Sequence, residues 1–274
     1  MIGRLLAWWQ RRRAERLPIP PELWPTVEAT LPFLSRLADS DRARLRDFAR
    51  QFIAAKQWSG ARGLVPTPAM QLSIALQACL PVLHLGLDWY DGWVGIVIYP
   101  GDFVIPREIV DDDGVVHEFD DEVMGEAWHG GPVLLSWFDD PGETEGINVV
   151  IHEFAHKLDM RSGDADGMPP LHAGMSRQAW RAAMGPAFDD FRRRVDAGEQ
   201  TALDPYAAEL PSEFFAVASE AFFEDPVMLC GEYPEVYAQL RLFYRQDPAQ
   251  DILGRLGENG IMVAPSTSLG HIPE

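Results

Sequence analysis

The chain is poor in cysteine, in positive charge and in long apolar runs, and each shortage excludes something. Only Cys79 and Cys230 occur in 274 residues. They lie far apart with no paired spacing, so a disulfide framework is not expected and free thiols in a reducing cytoplasm are. Lys and Arg number 23 against 42 Asp and Glu, a formal net charge of −19. Clustered positive charge is what captures a phosphate backbone, so direct nucleic-acid binding is not expected. A basic protein partner or a metal ion is attracted instead. The apolar stretch LQACLPVLHLGL at 76–87 is broken by Gln, Pro and His before the roughly 20 residues of a membrane span. The opening MIGRLLAWWQRRRAERLP puts its short apolar stretch ahead of the basic cluster, the reverse of a signal peptide. It reads as a helix that lays its aromatic side on the body. No internal repeat is visible.

What is present is an ordinary globular composition, 47% hydrophobic and 24% charged, with length for one large unit or two small ones. From Pro21 to Trp58, Leu31, Leu34, Leu37, Leu45, Phe48, Phe52 and Ile53 recur mostly at helical spacings, with caps at Asp39, Ser40 and Asp41. Trp93–Tyr99, Phe103–Ile105 and Pro132–Trp137 are β-branched or apolar and bounded by turn residues, as strands are. An acidic loop lies between the last two, and Asp140-Pro141-Gly142-Glu143 offers a cap for a helix over about 142–160. Strands flanked by helices predict an α+β (mixed α/β) fold. The expected organisation is a helical N-terminal region, 1–88, packed on a core over 89–274.

The chemistry is carried by His152-Glu153-Phe154-Ala155-His156. Residues four apart stack on one helix face, so the two imidazoles can meet one Zn²⁺. Glu153 points elsewhere, but it can reach a water activated by that metal and accept its proton. The rival reading is two surface histidines on an amphipathic helix. Val149, Val150, Ile151, Phe154, Ala155 and Leu158 oppose it by making the helix apolar nearly all round, where an unpaired imidazole is costly. A third ligand is then needed. Asp159 and Ser162 replace the Gly and His of the extended H-E-x-x-H-x-x-G-x-x-H pattern, so it comes from elsewhere. In YAAELPSEFFAVASEAFFEDP (206–226), Glu213 and Glu220 share a helical face, and spacing does not separate them.

Four blocks, WSGARGL (58–64), DGVVHEFDDEV (113–123), GINVVIHEFAHKLDMRSGDADGMPPL (146–171) and the 206–226 run, closely resemble the bacterial Mlc titration factor A family of zinc peptidases. The resemblance extends from about residue 25 to 250. It implies a zincin-like core, similar to the catalytic domain of anthrax toxin lethal factor, in which a tyrosine stands seven residues before the ligand glutamate. Tyr206 and Glu213 reproduce that interval. The resemblance therefore implies one Zn²⁺ per chain on His152, His156 and Glu213, with Glu153 as base, Tyr206 hydrogen-bonding the oxyanion, and Glu220 in a supporting role. His117 matches the histidine of the family's V-V-H-E block. It is either a fourth zinc contact that blocks the water position or a loop histidine held by neighbouring carboxylates.

Asp159 either orients an imidazole or pairs with Lys157 or Arg161. His84, His129 and His172 read as structural, and Trp89, Tyr90, Trp93 and Tyr99 as core. The resulting expectation is a cytoplasmic zinc peptidase acting on a peptide or protein. A substrate strand adds to 133–137 if that strand is a sheet edge. The resemblance also implies association with a Mlc-like, sugar-responsive transcriptional repressor. The alternative is a non-catalytic protein that sequesters such a repressor.

Overall fold

A computed structural model describes residues 19–110, 116–138, 148–250 and 252. The expected N-terminal aromatic helix and the Asp140–Glu143 cap lie outside these residues. The helical periodicity after Pro21 resolves into α1 (Leu23–Ala29), a 3-10 turn (Pro32–Arg36) and α2 (Asp39–Ala55). Asp39 and Asp41 occupy the first turn of α2, where the helix dipole favours negative charge, and Leu45, Ala49, Phe52 and Ile53 form its buried stripe. The helix stops short of Trp58, which belongs to the strand β1 (Gln57–Gly60). A four-residue strand is too short to register against a helical period. Trp58 also folds back, its indole N–H donating to the Ile53 carbonyl at 3.2 Å.

A parallel partner for β1 requires a crossover, and α3 (Pro68–Cys79) supplies it, opened by Thr67 accepting from the Met70 N–H at 3.2 Å. The chain returns as β2 (Gly95–Pro100), parallel to β1. It then leaves the sheet in an antiparallel ribbon, β3 (Phe103–Val110) with β4 (Val116–Val123), pairing Ile105 with Asp121 and Ile109 with His117. The acidic loop expected here is thus a strand from Val116 onward. β4 carries Glu118, Asp120, Asp121 and Glu122, so its sequence has no alternating apolar signature.

Two more strands complete the sheet, β5 (Gly125–Ala127) and β6 (Val133–Trp137), in the order β1-β2-β6-β5. β6 runs parallel to β2 and antiparallel to β5. Because β6 is paired on both sides, it offers no edge to a substrate strand; the antiparallel edge is β5.

Two helices beside the sheet are buried nearly all round, although both carry polar and charged residues. The first, α4 (Val149–Asp159), buries every residue from Val150 to Asp159. It begins at Val149 and not near 142, because Asn148 caps it by accepting from the Ile151 N–H at 2.9 Å. The second, α6 (Pro211–Glu224), starts on a proline and buries Phe214 through Phe223. Before it comes α5 (Arg177–Asp196), and after it α7 (Pro226–Glu232) and α8 (Pro234–Tyr244) close the core. Phe154 of α4 packs edge-on against Phe52 and Tyr90, with ring centroids 5.6 and 5.1 Å away. Tyr90 and Trp93 are therefore core, as the sequence indicates. One hydrophobic cluster joins residues before and after 88, among them Leu45, Phe52, Leu76, Ile96, Phe154 and Phe222. The architecture is α+β. Cys79 is buried, and neither cysteine is in a disulfide. Among the described residues, no helix is long and apolar enough to cross a membrane.

Candidate metal centre

The pairing of α4 with α6 turns three side chains toward one point. His152 and His156, one turn apart on α4, bring their Nε2 atoms within 3.1 Å of each other. Oε2 of Glu213, in the first turn of α6, lies 3.1 Å from each. A tetrahedral Zn²⁺ with bonds of roughly 2.0–2.1 Å holds its ligand atoms about 3.3 Å apart, so this triangle fits the ion in size as well as in donor type. Burial raises the Glu213 carboxyl, but hydrogen bonds from His152 and then His156 outweigh it and leave the group at about 2. For His152, burial opposes the charged form, and the bonds to Glu213 and Glu220 overcome that and raise it to about 10. Both shifts report a site whose carboxylates call for positive charge.

Glu220, two turns further along α6, meets the other nitrogen of the His152 ring. Its Oε1 stands 2.7 Å from Nδ1 of His152, on the far side of the ring, and its Oε2 accepts the Asn148 N–H at 2.7 Å. A carboxylate only accepts, so Nδ1 carries a proton, and Nε2, once it gives up the proton it shares with Glu213, has its lone pair for a metal. Asn148 extends the chain, its amide donating to Gln77 at 2.9 Å and Glu224 at 2.7 Å. Asp159 pairs with neither Lys157 nor Arg161. Its Oδ2 accepts the Gly167 N–H at 2.7 Å, while Lys157 donates to the Trp128 and Gly131 carbonyls at 2.7 and 2.9 Å and Arg161 to that of Asp88 at 2.6 Å. Asp159 Oδ1 and His156 Nδ1 are both buried without a hydrogen-bond partner among the described residues.

Glu153 lies 4% exposed beside the triangle. Burial pushes its carboxyl up to about 7, against the pull of His152 and His156 and with a further push from Glu213 and Glu126. Gly125 of β5 covers it. A Cβ there would stand 2.6 Å from Glu153 Oε1 and 2.6 Å from Val149 Cγ2, so only glycine lets the edge strand pass this close. No pattern in the sequence marks Gly125, because the contact spans two elements. Tyr206 sits in a 3-10 turn (Pro205–Ala208) pinned by Asp204 accepting its backbone N–H at 2.8 Å. Its ring lies 6.0 Å from that of His152 and is 46% exposed at the mouth of the cleft. Burial, then the charges of Glu213, Glu209, Glu153 and Asp121, raise its phenol above the ordinary value, keeping it a donor. His117 stands on β4 opposite Ile109, and its side chain lies outside the described set. His84 faces Asp41 at 3.4 Å and His172 the Leu242 carbonyl at 3.0 Å, both away from the triangle.

Two imidazoles that a buried helix presents to a carboxylate are a set of groups that could hold a metal ion. Comparison with known proteins makes the class specific. The chain belongs to the glucose-regulated metallo-peptidase M90 family, which it matches over residues 6–245. It is 38% identical over 245 residues to Mlc titration factor A of Klebsiella pneumoniae (strain 342), covering 88% of this chain and 91% of that one. It is 40% identical over 223 residues to the proteins of the same name from Yersinia pestis (strain Pestoides F) and Yersinia pseudotuberculosis serotype O:1b (strain IP 31758), covering 80% of this chain and 82% of each of those.

Proposed function

We propose that this protein is a cytoplasmic zinc peptidase in which His152, His156 and Glu213 hold the metal, Glu153 is the general base and Tyr206 the oxyanion donor. The observation that carries the reading is the triangle of two imidazole nitrogens and one carboxylate oxygen, 3.1 Å on each side, with the Glu153 carboxylate next to it. When bound, the ion supplies Lewis acidity, polarising the scissile carbonyl and acidifying water. Glu153 takes the proton of the attacking water on its carboxylate and later delivers it to the departing amine. A carboxyl group raised by burial to about 7 can do both near neutrality. Tyr206 donates its phenolic hydrogen to the oxyanion, and Glu220 holds the His152 ring in the tautomer that frees Nε2. An extended peptide adds to the edge of β5, over Gly125. The test is Glu153→Gln purified with its zinc. It is expected to hydrolyse no peptide, and full activity would refute the assignment. Wild-type products analysed by mass spectrometry show whether residues leave from the chain end, as for an aminopeptidase, or from the interior.

His117 enters the proposal as a fourth donor that closes the site at rest. The ribbon that carries it also brings Asp121 and Glu122 to the cleft wall. His117→Ala is expected to raise basal activity, and an unchanged rate removes the role.

The name of the relatives favours a second reading, binding to a Mlc-like transcriptional repressor, which needs no hydrolysis. A formal charge of −19 suits competition with DNA for a basic partner. Repressor binding by Glu153→Gln separates the two activities; its loss together with hydrolysis would count against an independent sequestering role.

A further inference from the structure

The cleft lined by His152, Glu153 and Tyr206 measures about 590 Å³ and takes carboxylates from three parts of the chain. The ribbon strand β4 contributes Asp121 and Glu122, the turn ahead of α6 contributes Asp204 and Glu209, and the junction of α6 with α7 contributes Asp225. Among the described residues that line it, none is Lys or Arg. Asp204 and Asp225 each use one oxygen to cap a backbone N–H, at 2.8 Å to Tyr206 and 3.2 Å to Met228. At the floor, Glu153 is 4% exposed and receives no hydrogen bond from the described residues, a buried carboxylate facing a space it does not fill. The exposed ring of Tyr206 at the mouth adds a face on which a cation can rest.

We infer that the cleft selects peptides carrying a lysine or arginine side chain next to the bond to be cut. The inference rests on the peptidase reading and specifies its substrate. Carboxylates lining one cleft repel an acidic peptide and lower the energy of a guanidinium or ammonium group that enters it. Such selection shows mainly in binding and association, and it weakens with salt.

The test uses the full chain as Glu153→Gln, zinc-loaded, with N-acetylated, C-terminally labelled peptides that differ at one position: Arg, Gln or Glu. Acetylation removes the α-ammonium, so only the side chain supplies charge. Fluorescence anisotropy at low salt is expected to rank Arg over Gln over Glu, with about tenfold between the first two, the scale of a few partly exposed ion pairs. The preference should shrink at high salt, and Glu122→Gln/Glu209→Gln, two surface changes, should remove most of it. Equal binding of the three peptides overturns the inference, as does a preference that survives both salt and the double substitution. A preference abolished by chelating only the zinc in excess of one per chain also overturns it, since the carboxylates then serve a second cation. Hydrolysis by the wild-type protein separates this inference from the parent reading. Cleavage of all three peptides at one rate refutes the preference alone, whereas charge-ranked binding without any cleavage refutes the peptidase and leaves the preference standing.

Discussion

Replacing Glu220 with Gln tests how the site is held. Glu220 accepts two hydrogen bonds at 2.7 Å, one from the His152 ring and one from the Asn148 backbone. A glutamine has one acceptor oxygen, so one donor loses its partner or meets an N–H. Hydrogen bonds to a charged acceptor contribute roughly 1.5–3 kcal/mol, and losing the group that orients a metal-binding histidine costs about 10- to 100-fold in metal affinity. At about 1.4 kcal/mol per tenfold, the two scales agree. Competition between the protein and a fluorescent zinc chelator at neutral pH should therefore show Glu220→Gln weaker by that factor, with Glu213→Gln far weaker because it removes a ligand. Wild-type affinity in Glu220→Gln would refute the orienting role. A loss as deep as that of Glu213→Gln would move Glu220 into the inner ligand set.

Other perturbations probe independent parts of the account. Tyr206→Phe keeps the ring and removes the donor, so kcat should fall by about 10²- to 10³-fold with zinc content unchanged; a fully active variant contradicts the oxyanion assignment. Lys56 gives a pH prediction. Its ammonium donates to the Tyr90 and Trp93 carbonyls, both at 2.8 Å, and burial, then the nearby Lys157 charge, lowers it from 10.5 to about 7. Between those values the unfolded chain binds a proton that the folded chain does not, so stability rises with pH across that window and the charge-burial cost is largest below it. Lys157, lowered by burial to about 8, acts in the same direction. Denaturant unfolding from pH 7 to 10 should accordingly show a shallower rise in Lys56→Met than in wild type, and equal slopes would contradict the shift.

The sequence carried the helix pair and its chemistry further than it carried the strands. The apolar surroundings of His152 and His156 mark α4 as buried, and both histidines are. The face shared by Glu213 and Glu220 also holds, but assigning each glutamate needs the other helix, because what separates them is which nitrogen of His152 they meet. β4 was hidden by its charge, since Glu118, Asp120, Asp121 and Glu122 leave it no alternating apolar pattern. The start of α4 was misplaced because Asp140–Glu143 resembles a cap more strongly than Asn148, whose capping is reinforced by Gln77, Glu224 and Glu220, residues at least 71 positions distant. The edge of the sheet was unreadable for a related reason. Strand order is a property of the crossover through α3 and of the short β5, and neither leaves a periodic trace.

The most direct test of the central claim is the metal content of the purified, untagged protein by elemental emission, measured beside His152→Ala. The account predicts about one zinc per chain in the wild type and none in the variant. Wild-type protein that retains no zinc under mild conditions, or a variant that retains it fully, would contradict the site.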